Sequence, residues 1–314
     1  MSKIKYEYPR IVFFGTPDFA VASLEAIVDE GFNVVGVVTA PDKPGGRGMR
    51  LQSSAVKLYA ESNGLPLLQP EKLRNEEFVE HLRGWKADLQ VVVAFRMLPE
   101  AVWSVPPMGT INVHGSLLPD YRGAAPVHWA VINGEKETGI TTFALKHEID
   151  TGNILLQEST PIGDDETTGE VYNRLMKIGG KVLVKTIHGL KDGTLIPIPQ
   201  PGFEPAKHAP KIRKEDAQID WYKPTPEVYN FIRGMNPFPG AWTRLDGKFL
   251  KVVRAGIVDE NTCKPVQGSG AYDTDGKTYL HFKTADGCLA ILELQPEGKK
   301  KMGVEEFLRG YRFK

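Results

Sequence analysis

The N-terminal part of this chain alternates short, wholly apolar runs with stretches of helical spacing, and that rhythm constrains its fold more than any other feature. RIVFFG at 10–15 is apolar along almost its whole length and ends in glycine. GTPDF then turns the chain. In FAVASLEAIVDEG, residues Ala20, Leu24, Ile27 and Val28 recur at helical spacing before Gly31. NVVGVVTA is a second strand-length run, and SAVKLYAESNG reads as a helix with a glycine stop. LPLLQ, a charged helical stretch at 75–84, and DLQVVVAF continue the alternation. A strand apolar on both faces has to be covered on both, and intervening helices do this for parallel strands. The pattern predicts an α/β fold with a Rossmann-like parallel sheet. INVHGSLLP, GITTFALKH and ILLQEST read as later strands, and GEVYNRLMKIGGKVLVKTIHGLKDG as a long helix. The first loop, GTPDFA, lacks G-x-G-x-x-G, so dinucleotide binding has no support there.

The texture changes near residue 195. IPIPQPGFEPAKHAPKIRKED holds five prolines and few apolar anchors, which excludes a regular helix or a central strand. After it come a short helix, PTPEVYNFIRGM, and then the short runs AWTRL, FLKVVRAGIV, GSGAYDT, YLHFK and CLAILELQPEG. Turns such as DGK and ADG separate them. Such a series predicts a small C-terminal OB-like β-barrel. With 314 residues, too many for one core of usual size, the expected division is 1–194, a Pro-rich basic linker at 195–211, and 212–314.

Charge follows the same division. Residues 205–314 carry 19 Lys and Arg against 14 Asp and Glu, while the whole chain is neutral. A basic tail on an acidic body suits an anionic partner, and chance asymmetry between two solvated surfaces gives the same count. The two cysteines, Cys263 and Cys288, form no C-x-x-C pair and have no histidine cluster beside them. Neither a metal site nor a disulfide is expected, in line with a reducing compartment. The start, MSKIKYEYPR, is polar, and no apolar run is long enough to span a membrane, so the expected location is cytoplasmic.

The chemistry concentrates in INVHGSLLPDYRGAAP at 111–126. Alternate side chains of a strand share a face, so Asn112 and His114 point one way. Gly115 ends the strand, and open α/β sheets hold ligands beyond the C-terminal ends of their strands. An amide can donate to a carbonyl oxygen that becomes an oxyanion, and an imidazole can take or give a proton near neutral pH. On spacing alone, the same two residues read rather as a turn cap and a satisfied half-buried histidine.

INVHGSLLPDYRGAAP, followed after a hairpin-length interval by EIDTGNI, resembles the folate-dependent formyltransferases. The extended form S-L-L-P-x-Y-R-G-A-A-P is similar to the branches that formylate methionyl-tRNA and amino sugars. FFGTPDFA at 13–20, APDKPGGRGMR at 40–50, KIRKEDAQIDW at 211–221 and NPFPGAW at 236–242 resemble the tRNA branch, in order along nearly the whole chain. Two departures stand out. AFRMLP at 94–99 is one residue shorter than the usual form, with Phe95 and Arg96 where Tyr-Gly is common. Asp120 replaces a residue that is often basic.

The resemblance implies a catalytic set of Asn112, His114 and Asp150. It implies transfer of the formyl group of 10-formyltetrahydrofolate to the α-amino group of initiator methionyl-tRNA by a monomer that needs no metal. On residues alone, Asp150 in Asp-Thr-Gly-Asn reads as a turn residue. The folate is expected along Ser116, Leu117, Leu118 and Pro119. The tRNA is expected on Lys43, Arg47 and Arg50 of a loop too rich in Gly and Pro to hold one shape, and on Lys207, Lys211, Arg213 and Lys214. That loop also reads as an ordinary solvated surface segment. An amino-sugar-nucleotide N-formyltransferase is the rival; it needs the same three catalytic residues but neither the basic loop nor the basic tail.

Overall fold

A computed structural model describes residues 9–45, 50–200, 207–259 and 268–313. The chain divides into two compact units. One comprises Met1–Arg122, Gly139–Thr160 and Tyr172–Lys207; the other comprises Gly123–Thr138, Pro161–Val171 and His208–Lys314. Two excursions from the N-terminal half, 123–138 and 161–171, therefore belong with the C-terminal residues, although no break in composition marks them.

The first unit is built on a seven-stranded sheet in the order Ile154–Pro161, Glu137–Ala144, Thr110–His114, Leu89–Val93, Arg10–Gly15, Asn33–Val38, Leu67–Leu68. The five strands from Thr110–His114 to Leu67–Leu68 run parallel, as the apolar runs predict. Residues 11–14 and 89–93 are buried throughout, the mark of strands covered on both faces. Helix Asp18–Asp29 buries Phe19, Ala20, Ser23, Leu24 and Ile27. Gly36 has a specific cause in its strand: a Cβ there would meet the Trp85 ring at 2.3 Å. Beside this parallel set, Glu137–Ala144 runs antiparallel to Thr110–His114. No full crossover helix separates these two strands; the chain between them holds only the seven-residue helix Pro126–Ile132.

The second unit holds a six-stranded antiparallel sheet that curls into a half-barrel. Its order is Trp242–Leu245, Lys248–Ile257, Cys288–Pro296, Leu280–Lys283, Tyr272–Thr274, with Met302–Gly303 also on Cys288–Pro296. Trp221 stacks on Phe282 at 4.6 Å in a core with Ile232, Leu250, Leu289 and Leu294. Helix Thr225–Gly234 joins this core, and Gly234 presses so closely on Ile132 that a Cβ would lie 2.4 Å from its side chain. Cys288 is disulfide-bonded, against the expectation of reduced cysteines; Cys263 lies outside the described residues. Among the described residues no helix is long and apolar enough to cross a membrane.

The Asp246–Gly247 turn has φ of +49° and +79°, as the tight two-residue hairpins of this sequence type require. Asp246 accepts from the Tyr272 hydroxyl at 2.7 Å and the Tyr311 hydroxyl at 3.1 Å. Burial, and then these bonds to a carboxylate, push both phenols up to about 12; Tyr229, bonded to Asp165, is likewise pushed up to about 12. A raised phenol pKa favours the protonated, folded form, so its contribution is intact below pH ~10, the unfolded value, and is lost as pH climbs through about 12. The melting temperature is therefore expected to fall by several degrees between pH 10 and 12. Asp246→Asn, which removes the charge facing two of the phenols, should flatten that fall in a calorimetric series.

Candidate active site

Asn112 and His114 lie on strand Thr110–His114, opposite Phe143 and Thr141 of the neighbouring strand. Directly opposed residues share a face, so one side of the sheet presents Asn112, His114, Thr141 and Phe143 together. The Asn112 amide is half-buried and has no hydrogen-bond partner among the described residues. His114 is 7% exposed, packs edge-on to Phe143, and places Nε2 2.9 Å from the Tyr121 carbonyl. A carbonyl only accepts, so Nε2 carries the hydrogen and donates. In the neutral ring Nδ1 is then the basic nitrogen. Nδ1 has no partner among the described residues. Tyr121 itself is buried, with φ +61°, and its N–H donates to the Lys207 carbonyl at 2.5 Å.

The residues expected to hold folate follow directly. The Ser116 hydroxyl donates to the Asp120 carbonyl at 2.7 Å. The Ser116 carbonyl accepts from Thr141 at 2.6 Å, and the Leu118 N–H donates to the same hydroxyl at 3.1 Å. Gln157 donates to the Leu118 carbonyl and to Thr141, each at 2.9 Å. Thr141 and Gln157 thus set the loop's shape. The Leu118 side chain is buried with Phe143 and Ile154, while Leu117 and Pro119 stay half-buried at the surface.

Asp150 lies in the turn between strands Glu137–Ala144 and Ile154–Pro161, at φ +54°. The turn is packed without slack. A Cβ on Gly152 would lie 1.6 Å from the Ala144 carbonyl oxygen and 3.2 Å from the Phe143 ring. Phe143 is the residue opposite Asn112 and in ring contact with His114, so the Asp150 turn abuts the same face. Gly152→Ala must displace this turn. It is expected to cost roughly 1–3 kcal/mol of stability, as read by a lowered melting temperature.

The segment 94–99 is tied down by its own arginine. Arg96 donates to the carbonyls of Glu71, at 2.8 Å, and Pro70, and its guanidinium lies 5.6 Å from the Phe95 ring. Phe95 in turn meets Phe14 edge-on. Asp120 accepts the Lys207 N–H at 3.1 Å, a role the basic residue usual at that position cannot fill.

The basic positions are placed as follows. Lys43 is exposed in a short hairpin, Lys43–Gly45 with Arg50–Gln52, so the base of the 40–50 loop does hold a shape. Its anchor is Asp42, bonded to Lys57 at 2.5 Å and to Gln69 at 2.9 Å, and held below the usual carboxylate range by those two partners. Arg47 lies outside the described residues, and of Arg50 only the backbone is described. Lys207 is exposed, with its ammonium 5.8 Å from the Tyr121 ring centre. In the second unit Lys211, Arg213 and Lys214 are all exposed. Their backbone is fixed by Asp216 accepting from the Arg213 N–H and by Trp242 donating to the Lys214 carbonyl.

A family model for formyl transferase matches residues 9–187, and one for the formyl transferase C-terminal domain matches residues 211–312. The chain belongs to the formyl transferase family. Methionyl-tRNA formyltransferase of Bacteroides fragilis is 50% identical over 313 residues, 98% of this chain and 97% of its own. The protein of the same description from Parabacteroides distasonis is 51% identical over 98% of each chain. Among solved structures, the sugar 3N-formyl transferase WlaRD superposes with a TM-score of 0.67 at 20% identity, over 94% of this chain and all of its own. At that identity the likeness concerns the formyl transferase fold alone.

Sequence reading missed the residues that hold this face and its loop in place. Tyr121 acts through its main-chain carbonyl, which no residue type advertises. Thr141 and Gln157 lie on strands Glu137–Ala144 and Ile154–Pro161, which read as ordinary strand sequence. Gln200 lies in the stretch taken for a linker.

Proposed function

We propose that this chain transfers the formyl group of 10-formyltetrahydrofolate to the α-amino group of initiator methionyl-tRNA, in the cytoplasm and as a monomer. The observation that carries this reading is the 50% identity to methionyl-tRNA formyltransferases across both units, the C-terminal one included. An amino-sugar enzyme shares only the fold at this distance. The exposed Lys211, Arg213 and Lys214 further favour a polyanionic acceptor.

The chemistry follows from the site. A free α-amino group titrates near 7.7–8.0, and the neighbouring ester lowers that value, so a neutral fraction exists at pH 7. The amine nitrogen attacks the formyl carbon, and the carbonyl electron pair moves onto oxygen. The unpartnered Asn112 amide donates to that oxyanion. Nδ1 of His114 takes the proton from the nitrogen that has become positive. As the oxyanion re-forms the carbonyl, the bond from carbon to the folate nitrogen breaks, and His114 returns the proton to that nitrogen. Tetrahydrofolate and the N-formylated ester result. The carboxylate of Asp150 orients the histidine or a bound water. Leu117 and Pro119 offer apolar surface for the folate. Lys43, Arg47, Arg50 and Lys207 of the first unit, and Lys211, Arg213 and Lys214 of the second, engage RNA phosphates.

A mixed reaction tests the acceptor. Labelled 10-formyltetrahydrofolate is supplied with both charged initiator methionyl-tRNA and a nucleotide-linked amino sugar. Label is expected on the tRNA; label on the sugar alone overturns the assignment.

A further inference from the structure

We infer that Gln200 is a positioning residue for Asp150, held in register by Arg122. The inference rests on Asp150 taking part in formyl transfer. The Gln200 side-chain amide donates to the Asp150 carbonyl at 2.9 Å and to the Gly152 carbonyl at 2.7 Å. Its own oxygen accepts from Arg122 Nε at 3.1 Å and Nη2 at 2.6 Å. Both ends of the amide are thus matched to partners of one kind. Turning it over would set its NH2 against a guanidinium and its oxygen against two carbonyls, so the network fixes the orientation.

The placement of this clip matters. Its two donors bracket Thr151, and they engage the carbonyl of Asp150 itself, a residue held in the left-handed region at φ +54°. The rest of the turn is secured separately, by the Ala144 N–H to the Asn153 carbonyl at 3.0 Å and by Thr151 Oγ1 to the Glu148 carbonyl at 3.0 Å. The bonds of Gln200 to this turn and to Arg122 join the turn to the loop that follows strand Thr110–His114. Arg122 is adjacent to Tyr121, whose carbonyl fixes His114 Nε2. A continuous set of bonds therefore runs from the histidine anchor through Arg122 and Gln200 to the Asp150 backbone. Read from sequence, Gln200 falls in a Pro-rich linker; in the structure it belongs to the reactive unit. Ile198, two residues earlier, reinforces this by exchanging two main-chain bonds with Ile154, each 2.8 Å.

Gln200→Glu keeps the size and the Arg122 partner and removes both donors. For this variant, kcat is expected to fall ~10- to 100-fold, with KM for folate and for tRNA each within about twofold and with an unchanged melting temperature. Gln200→Met, which adds no charge, should lose a similar factor. In an Asp150→Asn background, Gln200→Glu should cause no further loss, because residues acting through one another are not additive. Wild-type kcat in both Gln200 variants overturns the proposal. So does a full multiplicative loss in the double variant, which marks Gln200 as a support of the fold rather than of Asp150. If Asp150→Asn alone is fully active, the role of Asp150 falls, and the positioning role falls with it. An impaired Asp150→Asn beside an active Gln200→Glu refutes the positioning role alone.

Discussion

Asn112→Ala is expected to lower kcat ~10²–10³-fold, the usual cost of losing one oxyanion donor, while the protein melts as wild type. The structural reason is the state of the amide. It sits half-buried on the site face and bonds to nothing else among the described residues, so its removal breaks no protein interaction. The loss should fall on the chemical step, with little change in KM for either substrate. His114→Ala should be at least as severe, since in the proposed mechanism it removes the proton carrier for both halves of the reaction. His114→Gln makes the sharper comparison: a glutamine amide can still donate to the Tyr121 carbonyl but cannot carry a proton. Retained fold with lost turnover in that variant separates proton transfer from the positional role of the Tyr121 contact. Near-wild-type kcat in Asn112→Ala or His114→Gln contradicts the catalytic assignment.

The second large effect concerns RNA affinity. Lys211, Arg213 and Lys214 are exposed on a backbone held by Asp216 and Trp242, so replacing all three with alanine leaves their anchoring bonds intact. Each lost phosphate contact removes roughly 0.7–0.9 from the slope of log affinity against log salt. Three contacts amount to about a 10²-fold rise in KM for tRNA near 0.1 M salt. KM for folate should be unaffected, because the folate carries no extended phosphate backbone. A triple variant with unchanged KM and salt slope places the RNA elsewhere and leaves the chemistry untouched.

How much of this was legible beforehand depends on the kind of information each feature uses. The parallel strands were legible because burial on both faces demands unbroken apolar runs such as RIVFF and LQVVV. The short strands of the second unit were legible from their turns, Asp246–Gly247 above all. The direction of Glu137–Ala144 was not, since a strand's residue pattern looks the same whichever way it runs. The grouping of 123–138 and 161–171 with the C-terminal unit rests on packing of Ile132 and the Gly234 backbone, remote in sequence. Asn112 and His114 were marked by residue type at alternate strand positions. Their supports were hidden for two reasons. Tyr121 works through a main-chain carbonyl. Gln200 lies among prolines that exclude regular structure yet do not exclude a fixed side chain.

The most direct test of the central claim is a single-turnover measurement of formyl transfer from 10-formyltetrahydrofolate, with the folate and enzyme in excess over the acceptor. Initiator methionyl-tRNA, elongator methionyl-tRNA and a nucleotide-linked amino sugar are run in parallel at low and high salt. The account predicts rapid transfer to initiator methionyl-tRNA, slowing as salt rises, with little transfer to the other two. Transfer to the amino sugar at a rate indifferent to salt, with none to the charged initiator tRNA, would contradict it.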